Sequence, residues 1–508
     1  MSAKLDLLLI NPGSRLDIYQ ALANNLTAIE PPVWGGLMAT FVAKKGFSVD
    51  ILDAEVEGLT LLETAKRVSE ISPVLTAVVV YGHQPSASTQ NMTSAGAICT
   101  SIKKLAPEQK ILLVGGHVAA LPERTLREEE ADFVSSGEGL FTLIELIQAL
   151  KSNEPDNFQK VRGLWYRDGE TLNFNPSAPL LQDLETEMPG IAWDLLPMDK
   201  YVAHNWHCFG RLERKPYAAI YTTLGCPYHC SFCCIQAPFR NGEKALGYKE
   251  TFNSYRYWSP QCVIREIDIL VRKYKVRNIK IADEMFVLNM KHVEGICDLI
   301  IERGYDLNIW AYARIDTVKE NTLEKLKKAG IHWLAFGIEA GSERVRNNVQ
   351  KRFEQEDIFK TIQAVKAAGI HVIGNYIFGL PEDDLDSMKE TLQMALELNC
   401  EFANFYSTMA YPGSQLYDDA VRQALPLPEK WSGYSQHAED TLPLPTKYIS
   451  AGEVLAFRDN AFHEYFTSPG YLRLVAEKFG SKTENHIKEM VKFRLKRKYA
   501  SAQPASVA

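Results

Sequence analysis

The run Leu224-Gly-Cys-Pro-Tyr-His-Cys-Ser-Phe-Cys-Cys234 places three thiols, Cys226, Cys230 and Cys233, in one short stretch. Such crowding marks a metal site, and the number of ligands decides which kind. A structural zinc site closes its coordination with four N or S ligands, and no second Cys-x-x-Cys or His pair follows here. Thiolates also hold iron-sulfur clusters, and a four-iron cluster bound by three cysteines leaves one iron open to a further ligand. Cys234 breaks the spacing and reads as a small packed apolar residue. The run continues a β-rich segment, Ala218–Thr223, so the cysteines are expected at the C-terminal end of a strand.

Around this loop the composition is that of a large water-facing enzyme. The chain has 508 residues, enough for two or three domains that each bury a core. With 56 Lys+Arg against 63 Asp+Glu the net charge is −7, so no overall basic field invites nucleic acid. One local exception is Lys488, Lys492, Arg494, Lys496, Arg497 and Lys498 before an Ala/Ser-rich terminus, a solvated basic tail that offers contact with an anionic partner or membrane surface. No apolar run has membrane-spanning length, the first residues lack the regions of a signal peptide, and a cytoplasmic location is expected. Nine cysteines, an odd number scattered along the chain, do not form a disulfide framework. Cys99, Cys208, Cys262, Cys297 and Cys400 read as ordinary buried thiols.

Four regions follow from texture: 1–151, 152–215, 216–415 and 416–508. In the first, strand-like runs Leu5–Ile10, Ser48–Leu52, Thr76–Tyr81, Lys110–Val114 and Asp132–Val134 alternate with amphipathic stretches, which predicts a parallel, doubly wound α/β sheet. Ligands bind at the carboxyl ends of such strands, here Asn11-Pro-Gly, Asp53-Ala-Glu, Tyr81-Gly-His83, Gly115-Gly-His117 and Ser135-Ser-Gly-Glu-Gly139. No Gly-x-Gly-x-x-Gly follows the first strand, which argues against a dinucleotide site. Gly115 and Gly116 suit close backbone approach to a flat ligand, or simply a tight strand-to-helix turn. His83 and His117 at strand ends suit hydrogen bonds to backbone better than metal ligation.

The second region holds a hairpin around Asp168-Gly169 and then Ala192-Trp-Asp-Leu-Leu-Pro197, a bridge between domains. In the third, six strand-like runs recur with helices between them: Ala218–Thr223, Asn278–Ile281, Asn308–Ala313, Trp333–Ile338, His371–Phe378 and Phe402–Met409. The fourth region reads as helices punctuated by Pro426-Leu-Pro428 and Leu442-Pro-Leu-Pro445, without recognisable chemistry of its own.

The spacing Cys226-x3-Cys230-x2-Cys233, with Phe232 before the third Cys, resembles the radical S-adenosylmethionine (SAM) superfamily. In that family the open iron chelates the amino and carboxylate groups of SAM, and electron transfer cleaves its sulfonium to a 5′-deoxyadenosyl radical. Six parallel strands fit its partial (β/α)6 barrel, with the chemistry at the C-terminal strand ends. The first region resembles the cobalamin-binding domain that precedes many such barrels, through Pro31-Pro-Val-Trp-Gly-Gly-Leu-Met, Lys45-Gly-Phe-Ser-Val-Asp-Ile-Leu-Asp-Ala54, Gly115-Gly-His-Val-Ala and Gly137-Glu-Gly139. It departs from that pattern in having no Asp-x-His-x-x-Gly, whose His ligates cobalt in one branch of the family; radical SAM relatives commonly lack it.

The resemblance spans about Leu5 to Tyr417 and implies a 4Fe-4S cluster on Cys226, Cys230 and Cys233, SAM, and cobalamin held near Gly115 and Gly116. It matches Glu339, in Phe336-Gly-Ile-Glu-Ala-Gly-Ser-Glu343, to the carboxylate that binds the SAM ribose, with Ser342 close by. Ile377-Phe-Gly-Leu-Pro-Glu382 looks like the segment whose backbone meets adenine. Arg314 is open to pairing with the SAM carboxylate or to a structural ion pair with Glu339 or Asp283. The implied activity is methylation of an unactivated carbon of a small molecule or lipid-like substrate, served by an electron donor such as flavodoxin or ferredoxin. A radical cyclase, rearrangement or oxidation enzyme on the same frame is the alternative, and a non-catalytic cobalamin-binding protein a further one. A methylthiotransferase would need N-terminal cysteines for a second cluster, and only Cys99 is there.

Overall fold

The computed structural model describes residues 4–13, 18–20, 27–152, 157–210 and 213–500; the Ala/Ser-rich terminus from residue 501 lies outside them. In the first domain, strands β1 (Leu7–Asn11), β2 (Val49–Asp53), β3 (Leu75–Val80), β4 (Ile111–Gly115) and β5 (Phe133–Ser135) lie in the order 2-1-3-4-5, all parallel. Period-two alternation sends Leu7, Leu9, Leu75, Ala77 and Val79 to one face and Leu8, Ile10, Val78 and Val80 to the other. The first face packs on helices α1 (Val33–Lys44) and α4 (Leu140–Lys151), the second on α2 (Leu61–Ile71) and α3 (Pro85–Leu105). Burial on both sides explains why these strands read as unbroken apolar runs.

The hairpin forms where Asp168-Gly169 places it, with Gly169 at φ +59°, between β6 (Leu164–Asp168) and β7 (Thr171–Phe174). It does not stand apart as a linker. β6 pairs antiparallel with β5, so the sheet becomes a seven-stranded mixed one instead of a purely parallel one. β5 is only three residues long, and the hairpin satisfies its otherwise open edge.

The second sheet contains β8 (Tyr217–Ile220), β11 (Asn278–Ile281), β12 (Asn308–Ala313), β13 (Ile331–Glu339), β14 (His371–Phe378) and β15 (Phe402–Ser407), all parallel and neighbouring in chain order. Helices α5 (Ala237–Ala245) and α6 (Pro260–Arg272) follow β8. Then α7 (Met290–Arg303), α8 (Glu320–Lys328), α9 (Gln355–Ala367) and α10 (Leu385–Leu398) return the chain between successive strands. A two-residue strand, β9 (Thr223–Leu224), leads out of β8 into the cysteine run and pairs with β10 (Arg256–Tyr257). The C-terminal helices α11 (Ala451–Thr467), α12 (Pro469–Phe479) and α13 (Ser481–Met490) pack on the last strands: Tyr465 and Tyr471 donate to the carbonyls of Cys400 and Glu401.

Lys488, Lys492, Arg494, Lys496 and Lys498 of the basic tail are exposed, as the composition suggests, and of the six only Arg497 turns inward. Arg497 is buried, donating from Nε and Nη2 to the two oxygens of Asp459 at 2.8 and 3.0 Å. Among the described residues no helix is long and apolar enough to cross a membrane.

Candidate functional site

The cysteine loop is shaped before any ligand enters. Gly225 turns the chain out of β9 at φ +88°, and a Cβ there would lie 2.3 Å from the Ser254 carbonyl oxygen. Gln236 accepts from the Cys226 amide at 3.1 Å and donates to Glu243 at 2.7 Å, while Glu243 accepts from the Ser254 amide at 2.6 Å. Asn253 holds the Tyr228 carbonyl at 2.7 Å. All three cysteines of the motif are partly exposed, whereas Cys234 is buried like Cys99, Cys208, Cys262, Cys297 and Cys400.

Burial pushes the Cys226 thiol up to about 12 and Cys233 well above its ordinary value. Binding of a metal would displace these protons, since the thiolate is the ligand. No three His, Cys, Asp or Glu among the described residues converge on a single ion; a cluster takes its thiolates one per iron, so convergence is not what it requires. The donor set and its open face fit a four-iron cluster.

Arg314 follows β12 and reaches this loop. Its guanidinium lies 3.9 Å from the Tyr228 ring centroid, and Nη1 is 3.8 Å from Cys230 Sγ. The ion pair it forms is with neither Glu339 nor Asp283. Asp316, two residues on, accepts from Nε at 2.8 Å and from Nη2 at 3.0 Å. Asp283 instead caps the start of the loop, accepting from the Thr222 and Thr223 amides at 2.5 and 3.1 Å. Glu284 beside it is half-buried, its Oε2 has no partner among the described residues, and desolvation raises its carboxyl to about 8.

Glu339 ends β13 in the left-handed region, φ +68°, at a break in register with β14. Its Oε1 accepts from Lys351 Nζ at 2.8 Å, and both side chains are more than nine-tenths buried. Gly337 makes room, since a Cβ there would meet Glu339 Oε1 at 2.4 Å and Lys351 Nζ at 2.8 Å. The turn that follows is stapled by Arg346, which donates to the Ala340 and Gly341 carbonyls at 2.7 Å each. Ser342 caps the short helix Glu343–Asn348 with its backbone alone, leaving the hydroxyl uncommitted to the cap. Phe232 and Ile377 both pack against the cluster of Ala340, Val345, Val349 and Leu380, which joins the cysteine loop to the ends of β13 and β14. Lys351 and Arg346 escaped the sequence reading, because a basic residue after a turn has no signature until the fold brings it back; the twelve-residue return of Lys351 crosses a helix.

Gly115 and Gly116 separate in the structure. A Cβ on Gly115 would lie 2.0 Å from the Val80 carbonyl oxygen, so β3 alone requires a glycine there. At Gly116 a Cβ would meet nothing closer than Ser88 Oγ at 3.5 Å. Its neighbours include Pro238 of α5, 3.9 Å away, and α5 begins three residues after Cys234. Asn241 of α5 donates to the Ser136 carbonyl at 2.7 Å, and Arg256 pairs with buried Glu138 at 2.5 Å. The strand ends of the first domain thus lie directly against the cysteine loop.

Two cavities open at this junction. One of about 30 Å³ lies among Trp34, Tyr81, Gly116, His117, Cys234 and Glu284. His117 meets Thr89 at 3.2 Å through Nδ1, its Nε2 has no partner among the described residues, and burial holds the ring neutral, with its pKa lowered to about 3. The other, about 350 Å³, runs from Asn11, Gly82 and His83 of the first domain to Lys280, Tyr312, Asn404 and Tyr406 of the second. His83 contacts the Pro31 carbonyl oxygen at 2.6 Å, the backbone partnership expected for it. Of these strand-end glycines Gly116 leaves backbone that a flat ligand such as cobalamin can approach, since a Cβ there would meet nothing closer than 3.5 Å.

Family comparison agrees with this geometry: residues 220–395 match the radical SAM superfamily, and residues 19–147 match the B12 binding domain. The chain is a radical SAM enzyme with an N-terminal B12-binding domain. Its cofactors are a 4Fe-4S cluster, SAM and cobalamin. An uncharacterized methyltransferase of Pyrococcus horikoshii is 29% identical over 87% of this chain and 89% of its own. The anaerobic magnesium-protoporphyrin IX monomethyl ester cyclase of Cereibacter sphaeroides is 24% identical over 86% of this chain and 67% of its own. The radical SAM methyltransferase TsrM from Kitasatospora setae, with cobalamin and a 4Fe-4S cluster bound, superposes with a TM-score of 0.63 at 16% identity, over 92% of this chain and 89% of that one. At that identity the likeness is one of fold.

Proposed function

We propose that this radical SAM enzyme methylates an unactivated carbon of a small or lipid-like molecule. The observation that carries the reading is the packing of α5 against Gly116 and Ser136: one helix joins the cysteine loop to the open strand ends of the first domain, so one substrate can meet both cofactors. The methyltransferase relatives point the same way. When bound, the cluster with SAM supplies hydrogen abstraction and cobalamin supplies the methyl group.

The chain's own residues hold and orient. Cys226, Cys230 and Cys233 would carry the cluster. Glu339, fixed by Lys351, would accept from the ribose hydroxyls, with Ser342 beside it and Phe232 walling the nucleoside. Arg314 already gives Nε and one N–H of Nη2 to Asp316, so a bond to the SAM carboxylate would come from Nη1, 3.8 Å from Cys230 Sγ, or from the second N–H of Nη2. Gly116, more than Gly115, would admit cobalamin, and neither His83 nor His117 would ligate cobalt. Trp34, stacked on Tyr81 with ring centroids 4.4 Å apart, would help exclude water between the domains. In this reading the first domain is a Rossmann-like unit within 1–151, 152–215 links it, 216–415 curves into a partial (β/α)6 barrel, and a small electron-transfer protein reduces the cluster.

The test is the fate of SAM. Turnover of an identified substrate should release 5′-deoxyadenosine and S-adenosylhomocysteine together, with a labelled SAM methyl in the product. Deoxyadenosine without S-adenosylhomocysteine or methylated product would give the cyclase reading the better claim, which the cyclase relative keeps in play.

A further inference from the structure

Arg458, on α11, lines the larger cavity together with Tyr406, His437 and Phe462, and is 6% exposed. Its Nε donates to the Phe405 carbonyl and its Nη1 to Asp459 Oδ1, each at 2.7 Å. Those bonds use two of the five guanidinium N–H groups. The Asp459 carboxylate is not Arg458's alone, because Arg497 grips both its oxygens. Arg497 is otherwise saturated by the Ala438 and Gln436 carbonyls and Thr441 Oγ1.

Two buried cations therefore share one carboxylate, and Arg458 Nη2 has no partner among the described residues. Among the described residues no further carboxylate is paired with either guanidinium. At the other end of the cavity Glu30 is engaged by Lys280 at 3.1 Å and by the Tyr217 hydroxyl at 2.8 Å, so that cluster neutralises itself. His437 stays neutral, lowered to about 3 by burial and then by Arg458 and Arg497. A buried cation without a full counter-charge is destabilising until an anion completes it. The Tyr406 hydroxyl, which interacts electrostatically with Arg458 and makes no hydrogen bond to a described residue, is a second donor for such an anion.

We propose that Arg458 is the anion anchor of the substrate chamber, and that the substrate carries a carboxylate on an apolar body lying along Trp310, Phe405 and Phe462. This rests on the reading above that a small substrate meets both cofactors between the domains, and assigns to that substrate the larger cavity, which runs from the strand ends of the first domain into the second. Its volume of about 350 Å³ suits a small organic acid and not a polymer. It also gives the C-terminal helices a task in recognition.

The experiment is calorimetric titration of the holoenzyme, reconstituted with iron, sulfide and hydroxocobalamin, with 2-naphthoate and its uncharged counterpart 2-naphthol. Wild type should bind naphthoate at least tenfold more tightly than naphthol. Arg458→Gln should remove that preference and leave naphthol affinity and the cobalamin spectrum as they were; Arg458→Lys should keep part of it. Equal affinities in wild type, or no naphthoate binding, overturn the proposal without any variant having to fold. Loss of the cobalamin spectrum in Arg458→Gln with the naphthoate preference intact assigns the oxyanion to the cobalamin phosphodiester and overturns it too. Failure of the methylase reading would show instead in the SAM products and leave these affinities unchanged.

Discussion

The cysteine loop and the glycine-bearing strand ends of the first domain face one another, yet they are built on opposite principles. The loop concentrates its ligands in one short run and fixes them with a dedicated set of polar contacts from Gln236, Glu243 and Asn253. The strand ends contribute from Asn11 to Gly139 and offer mainly the absence of side chains. A small charged group is held by specific atoms, and a large flat one by shape. Removing a ligand should therefore abolish the first site outright, whereas the second should weaken by degrees.

The largest effect is expected at the loop. Cys230→Ala should leave reconstituted protein without its cluster, read as loss of iron and of the associated visible absorbance, because two thiolates cannot replace three. Cys234→Ala should keep both. Iron lost from Cys234→Ala and retained in Cys233→Ala would move the site by one residue and break the comparison.

The next effect concerns charge beside that loop. Lys351→Met leaves Glu339 buried without its counter-ion, and breaking a buried pair from one side costs about 3–5 kcal/mol. Thermal unfolding of the cofactor-free protein should show a large fall in Tm, with SAM affinity falling as well. An unchanged Tm would mean that Glu339 is not held as the structure has it.

This contrast also explains what could be read from sequence. Parallel strands buried on both faces announce themselves as apolar runs, and Asn278–Ile281, Asn308–Ala313 and His371–Phe378 form as expected. The mixed edge of the first sheet was hidden because hairpin residues such as Trp165 and Phe174 carry no sign of which strand they will join. The pairing of Arg314 was equally hidden. Asp283 and Glu339 are the conspicuous acids of the strand ends, but Asp316 is nearer, and proximity along the chain wins when a turn folds the carboxylate back. Lys351, Arg346 and Arg458 act across helices or between regions, so their residue type is visible and their partners are not.

A smaller effect should appear in the linker that sets the two domains against each other. Glu266 on α6 accepts from the Ile191 amide at 3.0 Å and from Trp193 Nε1 at 2.5 Å, and burial raises its carboxyl from 4.5 to about 7. The folded protein keeps this proton through a range where the unfolded chain has lost it. Stability from this group is thus full below pH 4.5, declines as pH rises, and is gone above about 7. The span is on the order of 3 kcal/mol. Denaturant unfolding across that window should show the decline, and Glu266→Gln should flatten it; an equal slope in the variant would place the titration elsewhere.

The smallest effect sharpens the comparison most, because it separates two adjacent glycines. Gly115→Ala drives a methyl group into the Val80 carbonyl and should cost about 1–3 kcal/mol of stability whether or not cobalamin is present. The Cβ of Gly116→Val meets only ordinary contacts within the chain, so the cofactor-free protein should lose less stability than Gly115→Ala does. Its cost should appear on adding hydroxocobalamin, as weaker binding in an absorbance titration, because the added side chain occupies backbone that the ligand approaches. If Gly116→Val binds cobalamin as wild type does, the open strand end at β4 is not part of the cradle. The first domain would then hold its cofactor by atoms at the ends of β1 and β3, and the contrast with the cysteine loop would be one of degree.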